Sequence, residues 1–314
     1  MAHIGTRKFA AEQADTRLGR LAFQINRTMK CRDADSVHDL RVAIRRFSQA
    51  LRVFKPYFRG KEVRKIRREL TEMMDVAGEV RNSDIALNMI SKSHASDTTG
   101  LRPKFEKHRQ DSERALVGLL KHWVDRKSSL KWRGTVASAG NTNSDALEDP
   151  PIATTAQQLL PGMAQDFFDH GKEAGRQKAS PRELHQFRIA LKKFRYTLEL
   201  FTSVYGPPLN ASLERIRRAQ GLLGDINDCE TVRSMLSQYK VANKSLSWLT
   251  KRRRRRIEKF QRYWTETFAA EGALRSWTAL LSRPGVSMRE PRKPSSRAGG
   301  LGPQTARRRP VAVA

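Results

Sequence analysis

Apolar residues recur every three or four positions along most of this 314-residue chain, and strict alternation of apolar and polar residues is rare. This spacing places apolar side chains on one face of an α-helix. Proline is nearly absent from these segments, where residues that favour helices predominate. The pattern therefore predicts an all-α protein with helices at Thr6–Lys30, Ser36–Phe58, Lys61–Ala77, Ser83–Ser93, Pro103–Arg126, Thr155–Gln177, Pro181–Val204, Leu209–Leu223, Asn227–Tyr239, Asn243–Glu271 and Ala273–Leu281.

Two segments lack the helical period. Residues 127–154 are rich in Ser, Thr, Gly, Asn and Pro, which predicts a flexible linker between a first half, residues 6–126, and a second half, residues 155–283. From Pro284 onwards Pro, Gly, Ser and Arg prevail. Such a composition cannot bury enough apolar surface to order itself, so residues 284–314 are expected to form a disordered basic tail after one folded unit, residues 1–283.

The two halves contain an internal repeat. A fixed shift along the chain aligns four apolar residues of the first half with four of the second: Val37 with Leu184, Leu40 with Phe187, Ile44 with Leu191 and Phe47 with Phe194. These positions step by three and four residues, so each set forms one apolar stripe of a helix. We expect both stripes to lie in the core.

A second stripe of polar residues lies beside each apolar stripe. The aligned pairs are His38 with His185, Arg41 with Arg188, Arg45 with Lys192 and Arg46 with Lys193. An isolated basic helix face is usually just a solvated surface, but here both copies carry the pattern next to the core. Stacked like charges destabilise a helix mildly unless an anion offsets them. The candidate anion-binding residues are His38, Arg41, Arg45, Arg46, Arg52, Arg64, Arg67, His185, Arg188, Lys192, Lys193, Arg195 and Arg218.

The repeat continues into a short glycine-containing segment. Residues 77–82 resemble residues 223–228, with Gly78 and Gly224 at equivalent places. Glycine often ends a helix, and the candidates for the N-cap of a following helix are Asn82 or Ser83 in the first half and Asn227 or Asp228 in the second. A helix break is therefore predicted in each segment, which gives each half about four helices.

The overall charge narrows the class of partner. Lys and Arg total 61 against 32 Asp and Glu, a net charge of +29, which a small neutral metabolite would not explain. Nucleic acid, an anionic membrane surface and inorganic polyphosphate remain as candidates. The two cysteines, Cys31 and Cys229, are too few for a disulfide framework, and no apolar run is long enough to insert into a membrane. The protein is therefore expected to be cytoplasmic.

Catalytic and metal-binding patterns are absent from the sequence. No phosphate-binding glycine loop, paired-carboxylate motif or Ser/His/Asp arrangement stands out. Histidine followed by arginine at this spacing lacks the second ligand that a metal needs, and neighbouring guanidinium groups repel cations. We expect no cofactor, no metal and no enzymatic activity.

At the repeated helices the sequence resembles the CHAD family, the conserved histidine α-helical domain proteins. The resemblance is carried by Val37–Arg46, by Leu184–Tyr196 and by the segments around Gly78 and Leu222–Asp228, and it spans roughly Thr6 to Ser282. It implies two four-helix bundles related by pseudo-twofold symmetry, with a basic groove between them that binds inorganic polyphosphate. Family members commonly take partners to polyphosphate granules. Asn82 departs from the family pattern, which usually has Asp there.

Two other functions stay open at this point. The run Lys251–Arg256 and the residues Arg307–Arg309 favour sequence-independent nucleic-acid binding. The weaker alternative is an enzyme that cleaves polyphosphate or a triphosphate, for which no acidic metal-binding cluster or general base is visible. Some CHAD proteins are fused to a triphosphate-hydrolysing domain, but the Glu-x-Glu-x-Lys motif is missing here, so the resemblance implies no catalytic domain. The leading hypothesis is a polyphosphate-binding protein without enzymatic activity, directed to polyphosphate granules.

Overall fold

The structure, a computed structural model, describes residues 4–58, 60–93, 100–141, 148–239 and 243–284. Within these ranges the chain forms helices and no named strand, which confirms the all-α prediction. The helices are α1 (Thr6–Cys31), α2 (Ala34–Val53), α3 (Lys61–Ser93), α4 (Arg102–Asp125), α5 (Ser128–Asn141), α6 (Ile152–Gly175), α7 (Pro181–Leu200), α8 (Thr202–Tyr205), α9 (Pro207–Ser237), α10 (Asn243–Thr267) and α11 (Ala273–Leu281). The predicted basic tail lies outside the described residues from position 285 onwards.

The two repeated helices, α2 and α7, each begin at a side-chain cap. Asp33 accepts a hydrogen bond from the backbone N–H of Ser36, which lowers the pKa of the Asp33 carboxyl. Ser180 and Glu183 form a reciprocal capping box at the start of α7. Both predicted apolar stripes are buried, from Val37 to Phe47 on α2 and from Leu184 to Phe194 on α7.

The predicted helix breaks near Gly78 and Gly224 are wrong. Each glycine lies inside one continuous helix, α3 or α9. An interior glycine costs roughly 1 kcal/mol relative to alanine, but buried residues on either side, such as Ala77 and Val80, continue the apolar face without a shift in period. Packing of that face outweighs the local preference of glycine to end a helix.

The predicted flexible linker is also wrong in part, because residues 128–141 form α5. Two side chains anchor this helix in the core, Trp132 and Val136, which lie four residues apart. The Trp132 ring stacks on Phe47 at 6.1 Å and meets Trp123 edge-on at 5.4 Å. With so few apolar positions, this Ser- and Gly-rich segment shows no helical period from which the helix could be predicted. Residues 142–147 lie outside the described part of the chain.

The order of helix packing is the same in the two halves. Helices α1, α2, α3 and α4 pack in sequence, as do α6, α7, α9 and α10, while α5 packs on α1 and α11 on α6. Backbone hydrogen bonds from Thr6 N to Pro150 O (3.0 Å) and from Ile152 N to Ile4 O (2.9 Å) join the starts of α1 and α6. The grouping into two bundles related by a pseudo-twofold axis, and the division of residues 1–283 at the linker, stay predictions.

The two halves meet through matching helices. Helix α2 contacts α7, and α3 contacts α9. A separate apolar cluster fills the region where the far ends of α3 and α9 pack with α4 and α10; it includes Met89, Phe105, Val232 and Leu249. These contacts fix the relative positions of α2, α3, α7 and α9, the four helices that carry the site.

Replacing a packed glycine of α6 should destabilise the fold. A methyl group at Gly171 would overlap the indole ring of Trp264, so we expect Gly171→Ala to lower the free energy of unfolding by about 1–3 kcal/mol, as overpacking does. Gly162 on the same helix has open space around it, so Gly162→Ala should be neutral or stabilise by up to about 1 kcal/mol. Denaturant unfolding of both variants measures the difference, and equal effects would contradict the assigned packing.

Candidate anion-binding site

The centre of the site is a cluster of four cations on two facing helices. Arg41 and Arg45 stand one turn apart on α2, and Arg188 and Lys192 stand one turn apart on α7. The four positions are aligned by the repeat and are half-buried. A buried hydrogen bond from Gln49 Nε2 to Thr197 Oγ1 (2.8 Å) ties the same two helices together. The structure thus brings four of the predicted residues into one place, the central cluster.

The central cluster is short of negative charge. Burial first, and then the charges of Arg188, Arg45 and Arg41, lower the pKa of Lys192 to about 6. Burial followed by the charges of Arg45 and Arg81 lowers the pKa of Arg41 to about 10. Desolvation and like charges both disfavour the charged form of a base. An anion bound here would offset both effects.

Two of the three arginines of the central cluster, Arg41 and Arg188, differ in their hydrogen bonds. Arg41 donates to the carbonyl of Met74 (2.8 Å), and its guanidinium lies directly over Gly78, where any Cβ would be 3.0 Å from the nearest guanidinium nitrogen. The buried Nε of Arg188 has no hydrogen-bond partner among the described residues. A buried donor without a partner is costly unless a ligand or water satisfies it. Arg188 therefore offers a free donor to an incoming anion.

The two repeated histidines have different surroundings. His38 is exposed at the edge of the central cluster; partial burial of its ring and the charge of Arg81 lower the pKa of His38. His185 is also exposed and lines a separate cavity of about 60 Å³, together with Arg188, Glu230 and Arg253. His38 thus belongs to the cluster, whereas Arg188 is what connects His185 to it.

A cavity of about 310 Å³ extends from the central cluster where α2, α3 and α7 meet. Its cations are Arg45, Arg52, Lys192 and Lys193. Apolar and neutral polar side chains complete the lining: Ile44, Ser48, Gln49, Leu70, Thr71, Met74, Ile189 and Tyr196. We call this cavity, together with the central cluster, the groove.

Arg67 lies beside the groove and serves the fold as well. Its guanidinium donates to the carbonyl of Leu51, and burial together with the charge of the neighbouring Arg52 lowers the pKa of Arg67. Arg64 is exposed one turn earlier on α3. The structure places Arg67 close to Arg52, but shows no contact between Arg64 and the described residues of the groove.

Three predicted residues are engaged elsewhere. Arg46 and Arg195 both form ion pairs with Glu199, at 2.8 and 3.0 Å. Arg218 is exposed on α9, and its guanidinium lies 4.7 Å from the ring centre of Tyr263. Sequence periodicity could not separate Arg46 and Arg195 from the groove residues, because a partner on a neighbouring helix is invisible in the spacing.

Glu199 is the centre of a structural ion-pair network. It joins α2 to α7 through Arg46, and its carboxylate also lies 3.9 Å from Arg217 of α9. Arg17 of α1 donates to the Glu199 backbone carbonyl at 3.2 Å. Burial lowers the pKa of Arg17 to about 10, although the Glu199 charge acts in the opposite direction. One carboxylate therefore balances cations of three helices.

Sequence reasoning missed two residues of the site, Arg81 and Asp228. Both are half-buried, and each affects the pKa values of its neighbours in the central cluster. Both occur in the glycine-containing segments that the repeat aligns, where Arg81 matches Asn227 and Asn82 matches Asp228. Reading those segments as helix breaks obscured their roles, whereas a continuous helix turns both side chains toward the groove.

Three of the six cations in the Lys251–Arg256 run of α10 form ion pairs with carboxylates. Arg253 pairs with Glu230 and Arg256 with Asp225, each at 3.2 Å, while Arg254 pairs with Glu258 at 3.0 Å. The guanidinium of Arg252 lies 5.4 Å from the ring centre of Trp248. Half of the positive charge of this run is thus paired within the fold. Residues 307–309 lie outside the described part of the chain.

Metal binding and membrane insertion can be addressed for the described ranges. No three His, Cys, Asp or Glu side chains there come together as a metal-binding group. Nor is any helix in these ranges both long and apolar enough to cross a membrane.

The fold and the groove define an all-helical protein with cations gathered between helices of two repeated halves. The profile of the CHAD domain matches residues 12–237, well over half of the sequence. The chain therefore belongs to the CHAD domain family, which is associated with polyphosphate binding.

Solved structures show the same fold. The crystal structure of the CHAD domain from the plant Ricinus communis has a TM-score of 0.66 at 18% sequence identity, over 90% of this chain and 94% of that one. PptA from Streptomyces chartreusis has a TM-score of 0.55 at 15% identity, over 84% of this chain and 99% of that one. No curated protein matches the sequence.

Glu199 should matter for stability more than an exposed carboxylate does. We expect Glu199→Gln to lower the free energy of unfolding by about 2–4 kcal/mol, because it leaves half-buried cations without their partner. Glu214 pairs only with Arg217 and is 72% exposed, so Glu214→Gln should change stability by less than about 1 kcal/mol. Chemical denaturation of both variants measures this contrast. Equal losses would show that the Glu199 network is no stronger than a surface pair.

Burial of Lys192 should lower the free energy of unfolding by an amount that depends on pH. Its pKa falls from 10.5 to about 6 in the folded state, so between these values the unfolded chain binds more protons and stability rises with pH. Lys192→Met should therefore stabilise the free protein by at least about 1 kcal/mol at neutral pH, and by less near pH 9. Lys193→Met, at an exposed position, is the control. A gain that does not change with pH would contradict the burial of Lys192.

Proposed function

We propose that this protein binds inorganic polyphosphate in the groove. The observation that carries the proposal is the central cluster: four half-buried cations from equivalent positions of both halves, with too little negative charge around them. Arginine binds phosphate oxygens through paired, charge-assisted hydrogen bonds, which are stronger than neutral ones. The free Nε donor of Arg188 adds a group that a phosphate would satisfy.

The shape of the cationic surface supports an extended anion. Cations continue from the central cluster along the cavity to Arg52 and Lys193, so the charge follows a path and is not confined to one point. A single small phosphate would contact only part of it. Membership of the CHAD family agrees with polyphosphate as the linear anion.

We further propose that the protein is a binding module without catalytic activity. The groove combines cations with apolar and neutral polar side chains, and the carboxylates whose charges act on the central cluster include Asp228 and Asp75. Such a surface retains a polyanion but supplies no evident means of activating water. The proposed role is to bring the protein, and whatever it carries, to polyphosphate granules in the cytoplasm.

The binding site can be tested with two variants of equal charge. Changing His38, Arg41, Arg45, Arg188 and Lys192 together to glutamine should weaken binding of long-chain polyphosphate by at least about a hundredfold, since each lost charge-assisted contact is worth roughly 1 kcal/mol or more. The control replaces four exposed cations of α10 with glutamine, Lys251, Arg255, Lys259 and Arg262, which matches the four formal charges lost from the groove because His38 counts as neutral. It should weaken binding less than tenfold. Titration calorimetry measures both affinities, with circular dichroism to confirm helicity.

Salt and a competing anion distinguish this site from general attraction to polyanions. Affinity for polyphosphate should fall steeply as salt rises, and the groove variant should show a shallower slope. Duplex DNA at equal charge concentration should not displace polyphosphate from the native protein at physiological salt. Equal weakening in the groove and control variants would overturn the assigned site, and displacement by DNA would make nucleic acid the leading ligand.

A further inference from the structure

The carboxylate of Asp228 is half-buried among the groove cations, whereas that of Asp75, whose charge also acts on Arg41, is exposed on α3. The charges that act on it come from Arg81 of α3, from Arg188 and Lys192 of α7, and from Asp225 one turn earlier on α9. It forms no ion pair within 4.0 Å and no hydrogen bond with any residue in the described ranges. Asp225 differs, because it pairs with Arg256 at 3.2 Å. Asp228 is therefore an acceptor that the fold itself leaves unused.

The Asp228 carboxylate has no counterpart at the equivalent position of the first half. The equivalent residue of the first half is Asn82, which carries no charge, and Asn227 of the second half matches Arg81. The central cations, in contrast, are matched between the halves. The repeat therefore places a half-buried carboxylate at this position on the α9 side and a neutral amide on the α3 side.

An ionised carboxylate is an unusual group in an anion site, because it only accepts hydrogen bonds. It repels a phosphate that has no proton. It can instead accept a hydrogen bond from a phosphate that retains one. Internal phosphates of a polyphosphate chain have a single, strongly acidic oxygen and no proton at neutral pH. A terminal phosphate has a second ionisation, which in phosphate monoesters has a pKa of about 6.

We infer that Asp228 makes the groove recognise the end of a polyphosphate chain, by accepting the proton of the terminal phosphate while the central cations hold its other oxygens. This inference rests on the proposed function, and it identifies the terminal phosphate as the part of the polyphosphate chain that the central cluster binds. The internal phosphates would then follow the cavity toward Arg52 and Lys193.

The surroundings of Asp228 fit this role. Burial raises the pKa of its carboxyl above the ordinary value, although Arg81, Arg188 and Lys192 act in the opposite direction. A more basic carboxylate is a better acceptor for the proton of a weak acid such as a terminal phosphate. Arg188 is close to Asp228 and has the free Nε donor, so a donor and an acceptor are available side by side.

Linear tripolyphosphate and cyclic trimetaphosphate test the inference, since the cyclic ion has no terminal phosphate. The variant is Asp228→Asn, and the control is Asp225→Asn, which removes the same charge from the same helix. Affinities of both ions for each protein are measured by titration calorimetry near pH 6 and near pH 8. The ratio of the two affinities is the readout, because titration of Lys192 and His38 affects both ions.

In the native protein the linear ion should bind more tightly than the cyclic one, and its advantage should grow as pH falls and the terminal phosphate gains its proton. Asp228→Asn should increase the affinity for the cyclic ion by about tenfold, which is the effect of removing one nearby like charge at intermediate dielectric. The affinity for the linear ion should rise much less, so the ratio of linear to cyclic affinity falls about tenfold. In this variant the ratio should also no longer grow as pH falls. Asp225→Asn should leave the ratio within about twofold, since its carboxylate is paired.

Two results would count against these assignments in different ways. An equal gain for both ions in Asp228→Asn would show that the carboxylate acts only as a counter-charge, and would overturn recognition of the chain end. Failure of the native protein to bind tripolyphosphate or long-chain polyphosphate would instead overturn the proposed function. Long-chain polyphosphate with both ends blocked by an amine extends the test, and it should bind more weakly than the unblocked chain.

Discussion

The structure depends on holding four basic side chains close together in the partly buried central cluster. Arg41, Arg45, Arg188 and Lys192 repel one another and lose water on burial, which is why the pKa of Lys192 falls to about 6. Neither half of the chain could hold this cluster alone, because each contributes only two of the four cations. The apolar stripes under α2 and α7 supply the opposing stabilisation. The site is therefore a region where packing holds charges in an arrangement that they would not adopt by themselves.

Two groups stand out among the positively charged side chains of the described residues, those that form ion pairs with carboxylates and those of the central cluster that do not. Glu199 holds Arg46 and Arg195, while Glu230 and Asp225 hold two arginines of α10. These cations fasten helices to one another. The central cations receive no comparable ion pair among the described residues, so their charge remains available. A net charge of +29 alone says that a polyanion is a suitable partner, but the distribution of carboxylates says where it would bind.

Periodicity determined what could be predicted from the sequence. The spacing of Val37 to Phe47 and of Leu184 to Phe194 identifies the buried faces, because three- and four-residue steps leave no other arrangement. The same rule gives no information on partners from other helices, so the pairing of Arg46 with Glu199 was missed. Local preference misled at Gly78, where the guanidinium of Arg41 packs closely against the glycine and the helix continues. Helix α5 was missed because its burial depends on very few side chains.

Departures from the repeat carry different information from the repeat itself. The four matched cations come equally from the two halves, and such a cluster suits a chain of identical phosphates. Arg81 and Asp228 have no equivalent in the other half, since Asn227 and Asn82 stand there. A groove with equal halves cannot distinguish the two directions of a bound chain, whereas one carboxylate on one side can. The matched cations therefore account for the affinity that we propose, and the two unmatched positions account for the proposed recognition of one chain end.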